Sequence, residues 1–318
     1  MTPPRSQRVM AIVMGGSLMA ASAAIWIRFI PEVSPLVIGF IRTAGAALLI
    51  FPWFRREWRR QALSWRDLRL SVLCGVALAF HFATWIASVN RTTVALSVLL
   101  VATHPMFVIL ISSVLLHMKV APNRIAGALL AFGGIVFIQW PYLAAGANGA
   151  WQGHGLGNLL ALAGGFLAAI YFLLGQAARV RLGTIIHVEI TYATAGVVLL
   201  VALLLAGETP IPLTARPWAY LALLILLPTV GGHTIFNWGL KHLGAPMISL
   251  IGLVEPIFSA LLALIIFREG LPLATIGGGV IILAGLALAL WSPAAPGLPE
   301  GPRPWLRPGP RASGPKRS

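Results

Sequence analysis

The 318-residue chain is 58% hydrophobic and only 10% charged, with a mean hydropathy of +0.88. Soluble domains carry roughly 25% charged residues, so most of this surface must face lipid and a water-soluble globular class is excluded. The net charge of +15 does not mark a nucleic-acid binder, because the basic residues fall between apolar runs and in the tail rather than along one amphipathic face.

In chain order, apolar stretches fall at 9–30, 35–54, 68–89, 93–116, 123–141, 155–176, 184–206, 217–239, 245–267 and 272–291. Each is about the 17–25 residues a helix needs to cross a bilayer. The first follows Arg5 and Arg8 and ends in small residues, as a signal peptide would. It stays apolar to Ile30, however, and nine more runs come after it, so it reads as an uncleaved span. With both termini cytoplasmic, 18 of the 23 Lys and Arg lie in inside segments and four outside, while Arg42 sits within the second span. That asymmetry is the positive-inside signal and puts both ends inside; the expected location is a bacterial cell (inner) membrane, multi-pass. Residues 292–318, rich in Pro and Gly, are expected to form a disordered basic cytoplasmic tail. The lone Cys74 excludes a disulfide framework or cysteine metal cluster and reads as a packing residue.

The sequence repeats itself at a spacing of 151 residues: TAGAALLI (43–50) lies over TAGVVLLV (194–201), and His104-Pro105 over Glu255-Pro256. Gly127 and Gly134 lie over Gly278 and Gly285, while His81 and His233 match with one residue of slip. Each repeat then holds five spans, residues 1–148 and 149–291. Five is odd, so the copies insert with opposite orientation. The expected fold is an all-α polytopic membrane protein of ten transmembrane helices in two inverted five-helix repeats. Such inverted repeats are the architecture of secondary transporters, with sites between the repeats at broken helices.

Residues 240–288, LKHLGAPMISLIGLVEPIFSALLALIIFREGLPLATIGGGVIILAGLAL, resemble the second half of EamA-type members of the drug/metabolite transporter superfamily. GFIRTAGAALLI (39–50) is similar to that family's second helix, which commonly carries an arginine, here Arg42. The resemblance covers nearly all of residues 10–291. One departure is Met118, which stands in the first repeat where the second has Glu269. The resemblance implies ten helices around a central cavity lined largely by helices three, four, eight and nine, plus parts of one and six. It also implies export of small metabolites such as amino acids.

Glu255, in LVEPIFSA (253–260), is the most informative polar residue. An ionised carboxylate inside a bilayer is costly, so it must face a cavity, have a partner or carry a proton. It is the proton-coupling candidate, with hydrogen bonding within the bundle for packing specificity as the alternative. Pro105 and Pro256 are the expected helix breaks. The substrate cavity is assigned to His81, Thr84, Trp85, His104, His233, Asn237 and Trp238, with Trp26 on helix one and Tyr171 on helix six. His81, Thr84, Trp85 and Ser88 fall at i, i+3, i+4 and i+7, a polar-aromatic stripe that should turn inward. His233, Asn237 and Lys241 repeat it at i, i+4 and i+8. Arg42 reads as a structural ion-pair partner, with a substrate clamp as the alternative. His187 and Glu189 stand as gate or packing residues.

No P-loop, GxSxG or HExxH motif occurs, and the histidines lack the short spacing of a metal site, so no cofactor and no metal are expected. The partners expected are a small-molecule substrate, protons that are co-transported, the lipid bilayer and no nucleic acid, in a monomer or homodimer. The function expected is secondary active transport, exporting an amino acid, a related metabolite or a drug by alternating access. The alternatives are an intramembrane enzyme acting on a lipid-linked substrate and a uniporter or channel.

Overall fold

The computed structural model describes residues 5–115, 117, 120–144, 151–209, 211, 214–268 and 273–290. Among these the chain is helical throughout, without strands. The tail at 292–318 and the turn residues Met118 and Glu269 lie outside the described residues.

Helices α1 (Arg5–Ala21) and α2 (Ala23–Arg28) form one broken span. Ser34 caps α3 (Pro35–Trp58), its hydroxyl accepting from the Val37 amide at 3.3 Å, with Pro35 in the first turn where no amide is needed. A capping box of Ser64 and Asp67 opens α4 (Trp65–Val89). The fourth apolar run is divided into α5 (Val94–Val101), α6 (His104–Leu110) and a π-helical turn, Ile111–Leu115. Then come α7 (Pro122–Ala144), α8 (Trp151–Arg179), α9 (Thr184–Leu205) and α10 (Arg216–Leu224). A π-helical stretch, Ile225–His233, leads into α11 (Thr234–Ile251), and a 3-10 turn, Gly252–Val254, leads into α12 (Glu255–Phe267). The last helix is α13 (Leu273–Leu290).

Seven helical runs among the described residues are long and apolar enough to cross a membrane. One of them, Arg216–Phe267, holds 52 residues. At 1.5 Å per residue it would measure about 78 Å, more than twice a hydrocarbon core. Gly244 divides it, with φ 76 and ψ 163, a left-handed conformation open to glycine. Two shorter apolar helices lie at Pro122–Phe137 and Ile276–Ala289. Large apolar side chains such as Leu48, Leu205 and Ile265 point outward, as a lipid-facing surface requires.

The repeat is visible in where the elements begin. Trp65, His104 and Pro122 start α4, α6 and α7, and the residues 151 further on, Arg216, Glu255 and Leu273, start α10, α12 and α13. Corresponding helices also pack on each other: α3 on α9 and α7 on α13. In the second pair, Gly127 abuts Gly285 while Gly134 abuts Gly278. These four glycines are two repeat-related pairs exchanged crosswise, the contact pattern of antiparallel helices related by a two-fold axis.

The connecting segments gather at two ends. At one, Arg181 pairs with Asp67 at 3.0 Å. At the other, the Ser34 hydroxyl donates to the Glu208 carboxylate, and Arg28 donates to the Val89 carbonyl at 2.9 Å.

Candidate functional site

Four irregularities in the helices meet around one cavity of about 50 Å³. Its walls include Ala21 and Ala23 beside the break after α1, Val101 and His104 at the α5–α6 break, His233 at the end of the π stretch and Glu255 at the start of α12. Each break removes regular backbone pairing, and three of the four carry a proline. Pro105 and Pro256 occupy the first turn of α6 and α12, where a proline ring fits but could not continue the preceding helix. The titratable residue before each proline thereby becomes the first residue of a new helix.

His81, Trp85, His104, Tyr171, His233 and Glu255, all expected in the site, line this cavity. The His81 and Trp85 rings stack, 6.0 Å apart and within 5° of parallel, and His81 Nδ1 is bonded to the Gly164 carbonyl at 2.8 Å. His104 Nδ1 lies 3.1 Å from the Val101 carbonyl, while its Nε2 has no hydrogen-bond partner. The His233 ring packs edge-on against Phe82 at 5.2 Å and against Tyr171 at 5.9 Å, leaving Nδ1 without a partner.

Gly252 joins the two broken helices. A Cβ at this position would lie 3.3 Å from His104 Nε2 and 3.5 Å from Glu255 Oε1. The ring nitrogen and the carboxylate oxygen are therefore no more than about 7 Å apart across this position. The repeat-related pair, His104 from the first half and Glu255 from the second, shares one notch.

The other expected cavity residues stand elsewhere. Thr84 spends its hydroxyl on its own helix, donating to the Phe80 carbonyl at 2.8 Å. Trp26 lies one turn beyond the cavity wall in an aromatic cluster with Phe29 and Tyr220, its Nε1 donating to Ser22 Oγ at 3.0 Å. Trp238 packs on His242 at 4.7 Å. Asn237 is fully buried behind Tyr171: its amide donates to the Tyr171 hydroxyl and, at 2.7 Å, to the His233 carbonyl. Its Oδ1 then accepts from His187 Nε2 at 3.0 Å, so His187 Nδ1 is the acceptor for Ser71 Oγ at 2.8 Å. Arg179 Nε adds a bond to the Asn237 carbonyl at 3.0 Å. This buried chain, Tyr171–Asn237–His187–Ser71, closes the cavity toward the Asp67–Arg181 end. The Phe29, Tyr220 and Phe267 rings, 5.0 and 5.1 Å from Phe29 to its neighbours, form the cluster toward the other.

Arg42 corrects the sequence expectation of an ion pair. Among the described residues no carboxylate reaches it. Its Nε donates to Thr229 Oγ1 at 3.1 Å and its guanidinium lies 3.9 Å above the Phe82 ring. A charge with these partners alone is held by packing and a single hydrogen bond.

Sequence reading missed Phe172, Phe236 and Ser259 in the cavity wall. Ser259 had a signal: it lies four residues after Glu255, one helical turn, and its hydroxyl caps the Ala21 carbonyl freed by the α1–α2 break at 2.6 Å. Gln176 had none. Its Oε1 accepts from the Ala245 amide at 2.7 Å, satisfying the backbone exposed by Gly244. No group of three His, Cys, Asp or Glu among the described residues is disposed to hold a metal ion.

The chain is similar to transporters across its length. A relative from Archaeoglobus fulgidus, described as an uncharacterized transporter, is 27% identical over 282 residues, covering 85% of this chain and 93% of the relative. Another, the uncharacterized transporter YyaM of Bacillus subtilis, is 22% identical over 282 residues, covering 86% of this chain and 85% of the relative. A solved crystal structure superposes with a TM-score of 0.68 at 18% identity, over 90% of this chain and 97% of the other, a likeness of fold. The EamA-like transporter family pattern matches twice, at residues 7–140 and 155–291, one match on each repeat. This multi-pass membrane protein belongs to the EamA-like transporter family.

Proposed function

We propose that the protein is a secondary active transporter of the bacterial inner membrane that exports a small metabolite, an amino acid or related compound, or a drug, by alternating access. Ten spans result if Gly244 separates two crossings within Arg216–Phe267 and the two shorter helices each cross once. Both termini then lie on the cytoplasmic side, with the Asp67–Arg181 end, the richer in basic residues.

The observation that carries the reading is the convergence of helix breaks from both repeats on one cavity, three of the four bearing a titratable residue, His104, His233 and Glu255. Broken helices free backbone polar groups where a ligand can use them, and two-fold-related halves supply equivalent inward-facing and outward-facing arrangements. Glu255 carries the coupled proton. In the cycle its carboxyl is protonated from one side and releases to the other, with His104 across the Gly252 notch as the neighbouring exchange group.

Comparing exported metabolites between cells with and without the protein identifies the substrate. In everted vesicles or proteoliposomes with that substrate, Glu255→Gln should abolish pH-gradient-driven transport while substrate exchange persists. Driven transport at the unsubstituted rate would overturn the coupling role.

A further inference from the structure

A further cavity, of about 350 Å³, lies between α5, α12 and α13. None of the described residues lining it has a polar side chain. It opens outward, for Leu261, Ile276, Val280 and Leu283 in its lining are exposed. These residues belong to apolar helices of membrane-spanning character, so the groove is bathed by lipid and not by water.

The groove backs onto the central cavity. On α12, Glu255 and Ser259 line the central cavity, while Pro256 and Ala260 line the groove. On α5, Val98 and Val101 line the first, and Ala95 and Leu99 the second. These two helices pack together as the wall between the two spaces.

The first repeat carries more apolar bulk at the corresponding places. Counting back 151 residues, Ala260, Gly279, Val280 and Leu283 fall on Ile109, Ala128, Leu129 and Phe132. Ile282 runs the other way, against Ala131, but its side chain turns to Gly134 on α7. A Cβ built on Gly279 meets no atom within 4 Å. The opening in the second half therefore follows from residue size rather than from the shared fold.

An occupant must be apolar, since nothing in the groove can pair with a polar group. It must also be slender, because an α-helix, about 10–12 Å across, would only cover the opening. An acyl chain entering from the bilayer meets both demands. Arg268 adds a charge. It ends α12 two turns beyond Leu261, about 10 Å along the axis, and is exposed where the apolar run gives out, the level of lipid headgroups.

We propose that this groove is a phospholipid site, with one acyl chain seated between α12 and α13 against the wall that carries Glu255, and the headgroup phosphate at Arg268. The inference rests on the membrane setting and not on what is transported.

The test uses the full-length protein in phosphatidylcholine vesicles with a trace of phosphatidylglycerol whose acyl chain bears a diazirine. After irradiation, labelled peptides are mapped by mass spectrometry. Label should concentrate at residues 256–261 and 276–283, at least fivefold above residues 105–110 and 125–132, their lipid-facing counterparts in the first repeat. Gly279→Leu fills the groove where no protein atom stands in the way, and it should cut that label at least fivefold. Ala260→Ile brings in the first repeat's residue from the opposite wall and should do the same, so the result stands even if one variant misfolds. A diacylglycerol with the same diazirine chain lacks the phosphate and should label the groove severalfold less, a difference that Arg268→Gln should remove. Equal label on the two halves, or groove label unchanged in a folded filling variant, overturns the site. Equal labelling by the diacylglycerol overturns it too, since any apolar chain would then be taken. A groove free of label in a protein dimer that Gly279→Leu dissociates assigns the face to a second copy and overturns the proposal.

Discussion

The Asn237 side chain makes three polar bonds behind the cavity, to Tyr171, His233 and His187. Its amide ties Tyr171 to the His233 backbone, its Oδ1 fixes the His187 tautomer, and its carbonyl holds Arg179. Asn237→Leu keeps the volume and strands the His187 Nε2–H and the Tyr171 hydroxyl in a buried setting. Each orphan costs about 1–3 kcal/mol, so a marked fall in unfolding temperature is expected. Trp238→Phe, one residue on, disturbs only packing against His242 and should change stability far less. Equal losses in the two variants would mean that the chain of bonds contributes nothing special. Spacing had put Asn237 in the cavity with His233. A helical stripe gives a face but not a depth, and here Tyr171 fills the space between.

The one-residue slip between His81 and His233 has its cause in the element that carries the second histidine. Upstream, Trp65 and Arg216 match at 151 residues, whereas the histidines match at 152, and the π-helical stretch Ile225–His233 lies between those points. A wider i→i+5 turn absorbs one residue without rotating the helix beyond it, and such bulges collect at functional sites. Deleting Leu226, which faces outward from this stretch, should let the helix close as a regular α-helix with His233 still facing the cavity. Deleting Leu73 from the regular α4, at similar exposure, turns one half of that helix about 100° against the other and buries the wrong face. The first variant is expected to purify as a monodisperse, cooperatively unfolding protein and the second to aggregate. If both aggregate, the π stretch is not an accommodated insertion. The breaks at Pro105 and Pro256 were legible because proline states them outright. The break at Ser22 was not, since no proline or glycine stands there; the π stretch had two traces, Pro228 within it and the 152-residue match.

At the scale of the molecule, the fold class and the repeat could be read from apolar runs and a 151-residue spacing, because lipid imposes the first and duplication the second. What the spacing could not reveal is which residues of one repeat touch the other. Gly127 corresponds to Gly278 in sequence but meets Gly285 in space, and Gly134 meets Gly278. This crossed pairing requires a two-fold axis between α7 and α13, and it makes a sharp demand on single positions. A Cβ on Gly134 would sit 2.7 Å from the Gly278 carbonyl oxygen, a backbone atom that moves only if α13 moves with it. Close approach through small residues is how helices associate where lipid removes the hydrophobic drive between them. The neighbouring Gly133 has no atom within 4 Å of the same construction. Gly134→Ala should therefore destabilise by about 1–3 kcal/mol through overpacking. Gly133→Ala should be neutral or stabilising by about 0.5–1 kcal/mol, since alanine loses less conformational entropy in a helix. Opposite shifts in the unfolding temperature of the detergent-solubilised protein, one residue apart on the same helix, would locate the symmetry axis on this glycine seam. Equal shifts would mean that α7 and α13 meet loosely and that the two halves are held together elsewhere.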